Sequence, residues 1–273
     1  MKAIITCGGL GTRLLPFTKE LPKEMAPVFY KTENKVHTIP LIQLIFETLY
    51  DAGIREFCFV TGKTKRAIEN HFTPEESPNQ NDLLDSFYEK LSNSKIFWIT
   101  QNYPKGFGDA LRYANSFVGN EDFILQAGDV AVLQKNKTNL LTRLIELSIN
   151  STQDAILSIR RVPDPKRHGI VTLEDENKDL PRITSAIEKP DNPQTDLGIM
   201  PIYLFNHNIF DALEKIQPDK NNEIQVTDAI QKLLDDSKVV KAIRVDDEKF
   251  WDVGTPEAYW QALNESYHHS ERS

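Results

Sequence analysis

The sequence predicts an α/β fold in which a mixed, mostly parallel central sheet is flanked by helices. Short apolar runs such as residues 57–60 and 123–127 are continuous rather than alternating, as in strands covered on both faces of a parallel sheet. Segments with helical spacing of apolar residues lie between these runs. Glycines or polar residues follow the runs, at the edge of the sheet where α/β proteins bind ligands.

The first predicted strand, residues 2–6, ends in a glycine-rich loop. The loop contains Gly8, Gly9, Gly11 and Thr12. Glycines let backbone amides approach an anion closely, and Arg13 and Lys23 add positive charge. The loop lacks the Gly-Lys-Ser/Thr ending of a Walker A motif, and Leu14 stands where the dinucleotide fingerprint has its third glycine. It is therefore predicted to bind a triphosphate, with a plain glycine-rich turn as the simpler alternative.

A helix is predicted after this loop. Thr38 has the side chain of a helix cap, Pro40 suits a first helical turn, and Gly53 stands just past the helix end. A strand over residues 54–61 follows, so the chain order is strand, loop, helix, strand. This order predicts a βαβ unit.

The next elements are predicted from apolar spacing and polar interruptions. Helices are expected over residues 63–71 and 83–91, and strands over residues 95–100 and 123–127. Residues 73–82 are rich in Pro, Asn, Ser and acidic side chains and are predicted to form an exposed excursion. We expect the second helix to pack on the domain; a flap or a subunit contact is the alternative.

Gln101 lies just past the predicted strand 95–100, at the ligand-binding rim of the sheet. Its amide offers a donor and an acceptor, which match the N3–H and O4 edge of uracil or thymine. Gly106 opens the next helix and is expected to place backbone amides near a second part of the ligand. The alternative for Gln101 is a loop side chain that faces water.

Asp129 follows Gly128 at the end of the predicted strand 123–127. A carboxylate at this edge can hold a divalent cation, and Mg²⁺ on nucleotide phosphates usually takes only one or two protein carboxylates. A lone Asp after Gly is ordinarily a turn residue, so we take Asp252 as a second carboxylate. The sequence therefore predicts a Mg²⁺ site without showing that the two residues meet.

The second half of the chain changes in character. Strands are predicted over residues 154–160, 169–173, 182–188, 200–205 and 239–245. Two helices are also predicted, one that ends at residue 234 and a closing one that ends at residue 267. Glu188 and Lys189 end the second arm of a predicted hairpin. From their spacing alone, these two residues are predicted to be charged side chains exposed to solvent. A bend at the strand end would let one bind a sugar hydroxyl and the other a phosphate.

Composition limits the partners of the chain. Its 273 residues carry a formal charge of -8, which argues against a nucleic-acid or anionic-membrane surface. Cys7 and Cys58 have neither zinc-site spacing nor a disulfide framework, and no apolar run approaches the roughly 18 residues of a membrane span. We therefore expect a cytoplasmic protein that binds neither nucleic acid nor membrane.

The order of motifs resembles that of the sugar-1-phosphate nucleotidyltransferases, closest to the UTP–glucose-1-phosphate uridylyltransferase branch. The opening signature is Gly-x-Gly-Thr-Arg, then Pro, then Pro-Lys, and the resemblance runs from residue 2 to about residue 262. The further motifs occupy residues 40–42, 65–72, 105–108, 117–119, 128–129, 187–190, 223–228 and 252–256. Residues 65–72 and the Pro-Lys-Glu-Met at 22–25 favour the uridylyltransferases over the thymidylyltransferases.

This resemblance implies a Rossmann-like fold with a β-rich sugar-binding insertion, in a single domain over residues 1–267. Residues 1–150 would form a nucleotide-binding half, 151–250 a sugar-binding half and 251–267 a closing helix, followed by a frayed tail over 268–273. The implied reaction is Mg²⁺-dependent and makes UDP-glucose and pyrophosphate from UTP and glucose 1-phosphate. The implied assembly is a homo-oligomer, a dimer or a tetramer.

The resemblance also implies roles for individual residues. Arg13 and Lys23 are expected to act on the phosphates, and Asp129 and Asp252 to hold Mg²⁺. The implied nucleotide-binding positions are Gly8, Gly9, Gly11, Thr12, Gln101, Gly106 and Asp109. The implied sugar-phosphate positions are Gly169, Glu188 and Lys189.

Three positions depart from the pattern of the family. Val130 stands where a second acid is frequent, Asp109 where relatives carry His or Gln, and Pro201 where a glycine is usual. A carboxylate at position 109 is expected to repel phosphates or to read a ribose hydroxyl. Three alternatives stay open: dTTP in place of UTP, another sugar 1-phosphate, and a non-catalytic nucleotide-sugar sensor.

Overall fold

A computed structural model of the chain describes residues 1–32, 35–63, 65–74, 82–133, 140–149, 152–246 and 248–272. Most of the excursion predicted over residues 73–82 lies outside the described residues. Within these ranges, no helix is long and apolar enough to cross a membrane.

The strands are β1 (Lys2–Cys7), β2 (Pro27–Lys31), β3 (Val36–Pro40), β4 (Glu56–Gly62), β5 (Lys95–Gln101), β6 (Phe123–Ala127), β7 (Val130–Leu133), β8 (Ala155–Arg161), β9 (Gly169–Leu173), β10 (Ile183–Glu188), β11 (Leu197–Phe205), β12 (Val240–Arg244) and β13 (Lys249–Asp252). The helices are α1 (Leu41–Asp51), α2 (Arg66–His71), α3 (Asp82–Ser92), α4 (Phe107–Tyr113), α5 (Asn115–Val118), α6 (Leu140–Ile149), α7 (Asn208–Lys215), α8 (Val226–Asp235) and α9 (Pro256–Arg272).

One mixed sheet of nine strands organises the molecule, in the order β10-β9-β11-β6-β1-β4-β5, with β8 pairing to β11 and β12. Its central strands β6, β1, β4 and β5 are mutually parallel. Strand β11 runs antiparallel to β6 and carries the sheet into the second half of the chain. The predicted α/β class is confirmed, and both predicted halves contribute to this sheet; their boundaries stay a prediction.

Strand β1 shows why the centre of the sheet is so apolar. Ile5 packs into the core that contains α1, whereas its neighbour Ile4 packs into the core that contains α4. Successive side chains of a strand point to opposite faces, so helices on both faces leave no polar side to the strand. The continuous apolar pattern follows directly from this two-sided burial.

Two predicted helix ends are wrong. Thr38 does not cap α1: it lies in β3 opposite Phe29 of β2, and the helix begins after Pro40. The tail predicted to fray from His268 continues as helix to Arg272. The end of α9 packs on β2, where the backbone N–H of Phe29 donates to Ser266 Oγ (3.1 Å) and the ring of Phe29 meets Tyr267 edge-on.

Pro201 lies inside β11, at the point where the pairing of β11 with β8 breaks its register between Ile199 and Tyr203. Proline has no N–H to donate to a strand ladder, so it is tolerated where the ladder is already interrupted. The departure from glycine at this position is therefore accommodated by a local irregularity of the sheet.

Candidate active site

A cleft of about 440 Å³ opens at the carboxyl ends of β1, β5 and β6. Nine residues predicted from the sequence line it: Gly8, Gly9, Gly11, Thr12, Arg13, Lys23, Gln101, Gly106 and Asp129. Five predicted residues do not line it: Asp109, Gly169, Glu188, Lys189 and Asp252. The structure thus brings the predicted phosphate and base groups into one cleft and leaves the predicted sugar-phosphate groups outside its lining.

The glycine-rich loop turns sharply on entering the cleft. Gly11 has a φ of 65°, a left-handed conformation that favours glycine, and the hydroxyl of Thr18 donates to its carbonyl oxygen (2.7 Å). The chain then passes through short 3₁₀ turns, Thr12–Leu14, Phe17–Lys19 and Lys23–Met25. Arg13 is exposed and has no ion-pair partner among the described residues, so its guanidinium can receive an anion.

Lys23 forms an ion pair with Asp129 at the floor of the cleft. The two side chains are 13% and 20% exposed. Burial opposes the charge of Lys23, but the carboxylates of Asp129 and Glu24 outweigh this effect and raise the pKa of the ammonium. Lys23 therefore stays protonated and carries a positive charge inside the cleft.

Asp252 lies beside Asp129 because β13 pairs with β7, in a register that sets Asp252 opposite Val130. Neither of these four-residue strands was predicted from the sequence. The Asp252 side chain is exposed, yet desolvation by the surrounding protein and then the charge of Asp129 raise its pKa. The backbone N–H of Gly254 donates to Asp252 Oδ1 (2.6 Å) and partly offsets that shift.

Two adjacent carboxylates at the cleft predicted to bind phosphates fit a divalent cation. Desolvation and then the charge of Asp129 raise the pKa of Asp252, and a cation bound between the two carboxylates would offset that repulsion. Within the described ranges, no group of three or more His, Cys, Asp or Glu side chains is arranged to hold a metal. Two carboxylates are sufficient for a metal such as Mg²⁺, which takes its remaining ligands from phosphates and water.

A second and more deeply buried ion pair is formed by the residue that follows Lys23. Glu24 follows Lys23 in the same 3₁₀ turn and accepts a hydrogen bond from Lys65 Nζ (2.8 Å), with side chains 1% and 6% exposed. Burial raises the pKa of Glu24, although Lys65 and Lys23 oppose the shift. This pair was not predicted, since the sequence gives no sign that residues 24 and 65 meet.

Gln101 is the last residue of β5 and is only 2% exposed. Its Nε2 donates a hydrogen bond to Asp109 Oδ2 (2.6 Å), in the first turn of α4. A Cβ on Gly8 would lie 2.5 Å from Gln101 Oε1, so a side chain at position 8 would displace the amide. Asp109 therefore contacts Gln101 instead of lining the cleft as predicted.

The two walls of the cleft meet at Ile224. Its N–H donates to the carbonyl oxygen of Lys105 (2.7 Å), and its own carbonyl accepts from the N–H of Gly108 (2.8 Å). A Cβ on Gly106, which has a φ of 97°, would lie 2.6 Å from Ile224 O. This close approach of two backbones places Glu223 and Gln225 in the lining of the cleft, which sequence reasoning missed.

The predicted sugar-phosphate residues form a separate cluster at the end of β10. Glu188 pairs with Lys189 Nζ (3.0 Å) and accepts a hydrogen bond from the Thr227 hydroxyl (2.7 Å). Lys189 has a φ of 42°, so the strand end bends and the two neighbouring charges meet. A Cβ on Gly169 would lie 2.7 Å from Thr227 Oγ1, which leaves little space there for a side chain. Thr227 was not predicted as a site residue, although it lies in the motif at residues 223–228.

The profile of the nucleotidyl transferase family matches residues 2–268 of the chain. The chain belongs to this family. The UTP–glucose-1-phosphate uridylyltransferase of Streptococcus pneumoniae is 36% identical to this nucleotidyltransferase over 245 residues, 85% of this chain and 79% of that protein. A UTP–glucose-1-phosphate uridylyltransferase 2 of Streptococcus pyogenes is 38% identical over 247 residues, with coverage of 85% and 79%.

Solved structures give the same result for the fold of this nucleotidyltransferase. A UDP-glucose pyrophosphorylase complexed with UDP-glucose has a TM-score of 0.87 at 29% identity and covers 98% of both chains. The UTP-bound UGPase from Acinetobacter baumannii has a TM-score of 0.83 at 30% identity, covering 97% of this chain and 92% of that one. The predicted family, fold class and enzyme class are confirmed.

Proposed function

We propose that this enzyme transfers a uridylyl group from UTP to glucose 1-phosphate, giving UDP-glucose and pyrophosphate, with Mg²⁺ as cofactor. The observation that carries the proposal is that one cleft contains the glycine-rich loop, Lys23, Asp129 and Gln101 together. The names of the similar proteins support the choice of UTP and glucose 1-phosphate. We also infer a homo-oligomer and a cytoplasmic location, which stay predictions.

The chemistry requires positioning more than proton transfer. A phosphate oxygen of glucose 1-phosphate, already anionic near neutral pH, forms a bond to the α-phosphorus of UTP. The bond from that phosphorus to the bridging oxygen breaks, and pyrophosphate leaves with the electron pair. Neither oxygen needs a general base or acid, so charge neutralisation and alignment are the main tasks.

Arg13 and Lys23 are proposed to supply this charge neutralisation. The Arg13 guanidinium has no ion-pair partner among the described residues and can bind a phosphate oxygen directly. The Lys23 ammonium is already held at the cleft floor by Asp129, so entering phosphates compete with that carboxylate for it. Both cations are therefore proposed to stabilise the negative charge that develops on the triphosphate during the reaction.

Asp129 and Asp252 are proposed to hold the Mg²⁺, which when bound would neutralise phosphate charge. On the sugar side, Glu188 is proposed to bind a hydroxyl and Lys189 the phosphate of glucose 1-phosphate. Thr227 and Lys189 hold the Glu188 carboxylate at its two oxygens, which orients it before the sugar arrives.

The experiment mixes the enzyme with UTP, glucose 1-phosphate and Mg²⁺ and measures pyrophosphate release. We expect turnover that disappears on chelation and returns with added Mg²⁺. A panel with dTTP, CTP, galactose 1-phosphate and N-acetylglucosamine 1-phosphate defines the preferred pair. No pyrophosphate with any pair, together with calorimetric binding of UDP-glucose, would identify a nucleotide-sugar sensor and refute the enzyme.

A further inference from the structure

We infer that Asp109 holds the side-chain amide of Gln101 in one orientation, so that the cleft accepts a uracil edge and rejects a cytosine edge. The inference deepens the proposed function and rests on it, because it concerns the base that the cleft reads. Asp109 is in this role a positioning residue, which acts through Gln101.

The contact between the two side chains is direct and sheltered. Gln101 is 2% exposed at the end of β5, and its Nε2 lies 2.6 Å from Asp109 Oδ2. Asp109 is fixed in turn by the first turn of α4, whose start is tied to the opposite cleft wall through Gly108 and Ile224. The partner of the amide is therefore set by the fold.

A carboxylate accepts hydrogen bonds and donates none, whereas an amide has one donor end and one acceptor end. With Nε2 towards Asp109, a donor meets an acceptor. If the amide turned over, Oε1 would face the carboxylate and two acceptors would lie at hydrogen-bond distance without a proton between them. Asp109 therefore permits only one of the two orientations.

In the permitted orientation, Gln101 Oε1 lies on the Gly8 side of the amide, 2.5 Å from where a Cβ of that residue would stand. Oε1 has no hydrogen-bond donor among the described residues, and both Gln101 and Gly8 line the cleft. An acceptor without a donor at the wall of a cleft recognises a ligand N–H. The second hydrogen of Nε2 is still available to an adjacent acceptor.

Uracil presents N3–H beside the acceptor O4, which matches an amide with Oε1 and Nε2 in these places. Cytosine presents the reverse pattern: N3 is an acceptor and the neighbouring amino group is a donor. A freely turning glutamine would pair with either base. A glutamine held by Asp109 pairs with uracil. Against cytosine, its acceptor Oε1 would face the acceptor N3, and its donor Nε2 would face the donor amino group.

The test compares UTP with CTP in the wild-type enzyme and in Asp109→Asn, with glucose 1-phosphate and Mg²⁺ in excess. Asparagine can donate or accept, so both amide orientations become possible at nearly constant shape. We expect the ratio of kcat/KM for UTP to that for CTP to fall by about tenfold or more, the size expected when a hydrogen-bond mismatch is relieved, and mainly through KM. A general loss of structure would lower both values and leave their ratio unchanged.

Asp211→Asn is the matched control, because Asp211 is an exposed carboxylate in the first turn of α7 and is not among the residues that line the cleft. It is expected to keep the wild-type ratio. If Asp109→Asn fails to fold, Asp109→Ser provides a second side chain that both donates and accepts. A wild-type enzyme that uses both nucleotides equally, or a folded variant that keeps the wild-type preference, would overturn the inference.

The outcome is separable from that of the proposed function. If the wild-type protein releases no pyrophosphate, calorimetry with UDP-glucose and CDP-glucose measures the same preference by binding alone. Tighter binding of UDP-glucose that is lost in Asp109→Asn would support the role of Asp109 even then. Equal binding of the two in the wild type would refute it.

Discussion

Lys23 and Glu24 are neighbours in one 3₁₀ turn, yet their ion pairs lie in different surroundings. The pair of Lys23 with Asp129 keeps 13% and 20% of its side chains exposed to the cleft, whereas the pair of Glu24 with Lys65 keeps 1% and 6%. A charge that reaches the cleft can exchange its partner for a ligand. Glu24 also borders the cleft, but its side chain is only 1% exposed, so the carboxylate stays with Lys65 and this sealed pair holds the turn in place.

The largest expected effect is on catalysis, at the cleft-facing pair. Asp129→Ala is expected to lower kcat by about two orders of magnitude or more, because it removes both the partner of Lys23 and a proposed metal ligand. Its free energy of unfolding should fall by less than in the variant of the more buried Glu24–Lys65 pair described below, since Lys23 stays partly open to water in the cleft. Steady-state kinetics and urea denaturation measure the two quantities.

Asp122→Ala is the control for this variant, because Asp122 precedes β6 at the end of the strand opposite to Asp129. It is expected to keep turnover near the wild-type value. Normal turnover in Asp129→Ala would remove the proposed role of Asp129.

The sealed pair is expected to affect stability. Lys65→Met leaves the buried carboxylate of Glu24 without its partner, and breaking such a pair costs about 3–5 kcal/mol of unfolding free energy. Lys63→Met, the same change two residues earlier at an exposed position, should cost about 1 kcal/mol or less. Urea denaturation distinguishes the two; equal midpoints would mean that the sealed pair does not hold the turn.

The smallest expected effect concerns the pH dependence of stability. The pKa of Asp252 is raised in the fold, so its ionisation disfavours folding at pH values above the raised pKa. Asp252→Asn, which can still accept from Gly254, should therefore be more stable than the wild type at neutral pH without metal. The gain should shrink as pH falls through the raised pKa and vanish below the ordinary value of 3.8.

Thermal melting of both proteins from neutral to acidic pH, without metal and with Mg²⁺ and UTP, checks this expectation. The wild type should gain stability with Mg²⁺ and UTP, and the variant should gain less. A variant that is less stable than the wild type at neutral pH without metal would contradict the sign of the effect.

The sequence predicts local structure where short-range patterns decide it. The glycine-rich loop, the buried strands and the helix that begins after Pro40 are recognisable because their signals lie within a few residues of each other. Thr38 misled the prediction, since a threonine before an apolar helical pattern resembles a cap. Its actual environment is a strand pairing with Phe29, which only the hairpin of β2 and β3 defines.

The contacts that the sequence could not predict are mostly between residues that lie far apart along the chain. Asp252 meets Asp129 through strands of four residues each, too short to show a pattern. Lys65 meets Glu24 across a hairpin, a helix and strand β4. The contact of Gln101 with Asp109 is closer in sequence, but which partner the amide chooses depends on how α4 starts. The partner of each side chain is thus determined by how the strands and helices come together at the edge of the sheet.

The two walls of the cleft are joined at Ile224 by two main-chain hydrogen bonds, one to Lys105 and one from Gly108. These bonds are made by backbone atoms and so do not depend on side-chain chemistry at position 224, but the close approach leaves no room for a side chain at Gly106. Substitutions of the residues that face the ligand on either wall can therefore accumulate during evolution while this main-chain connection between the walls is kept. New specificities can arise by drift on one wall, with the other wall and its chemistry kept intact.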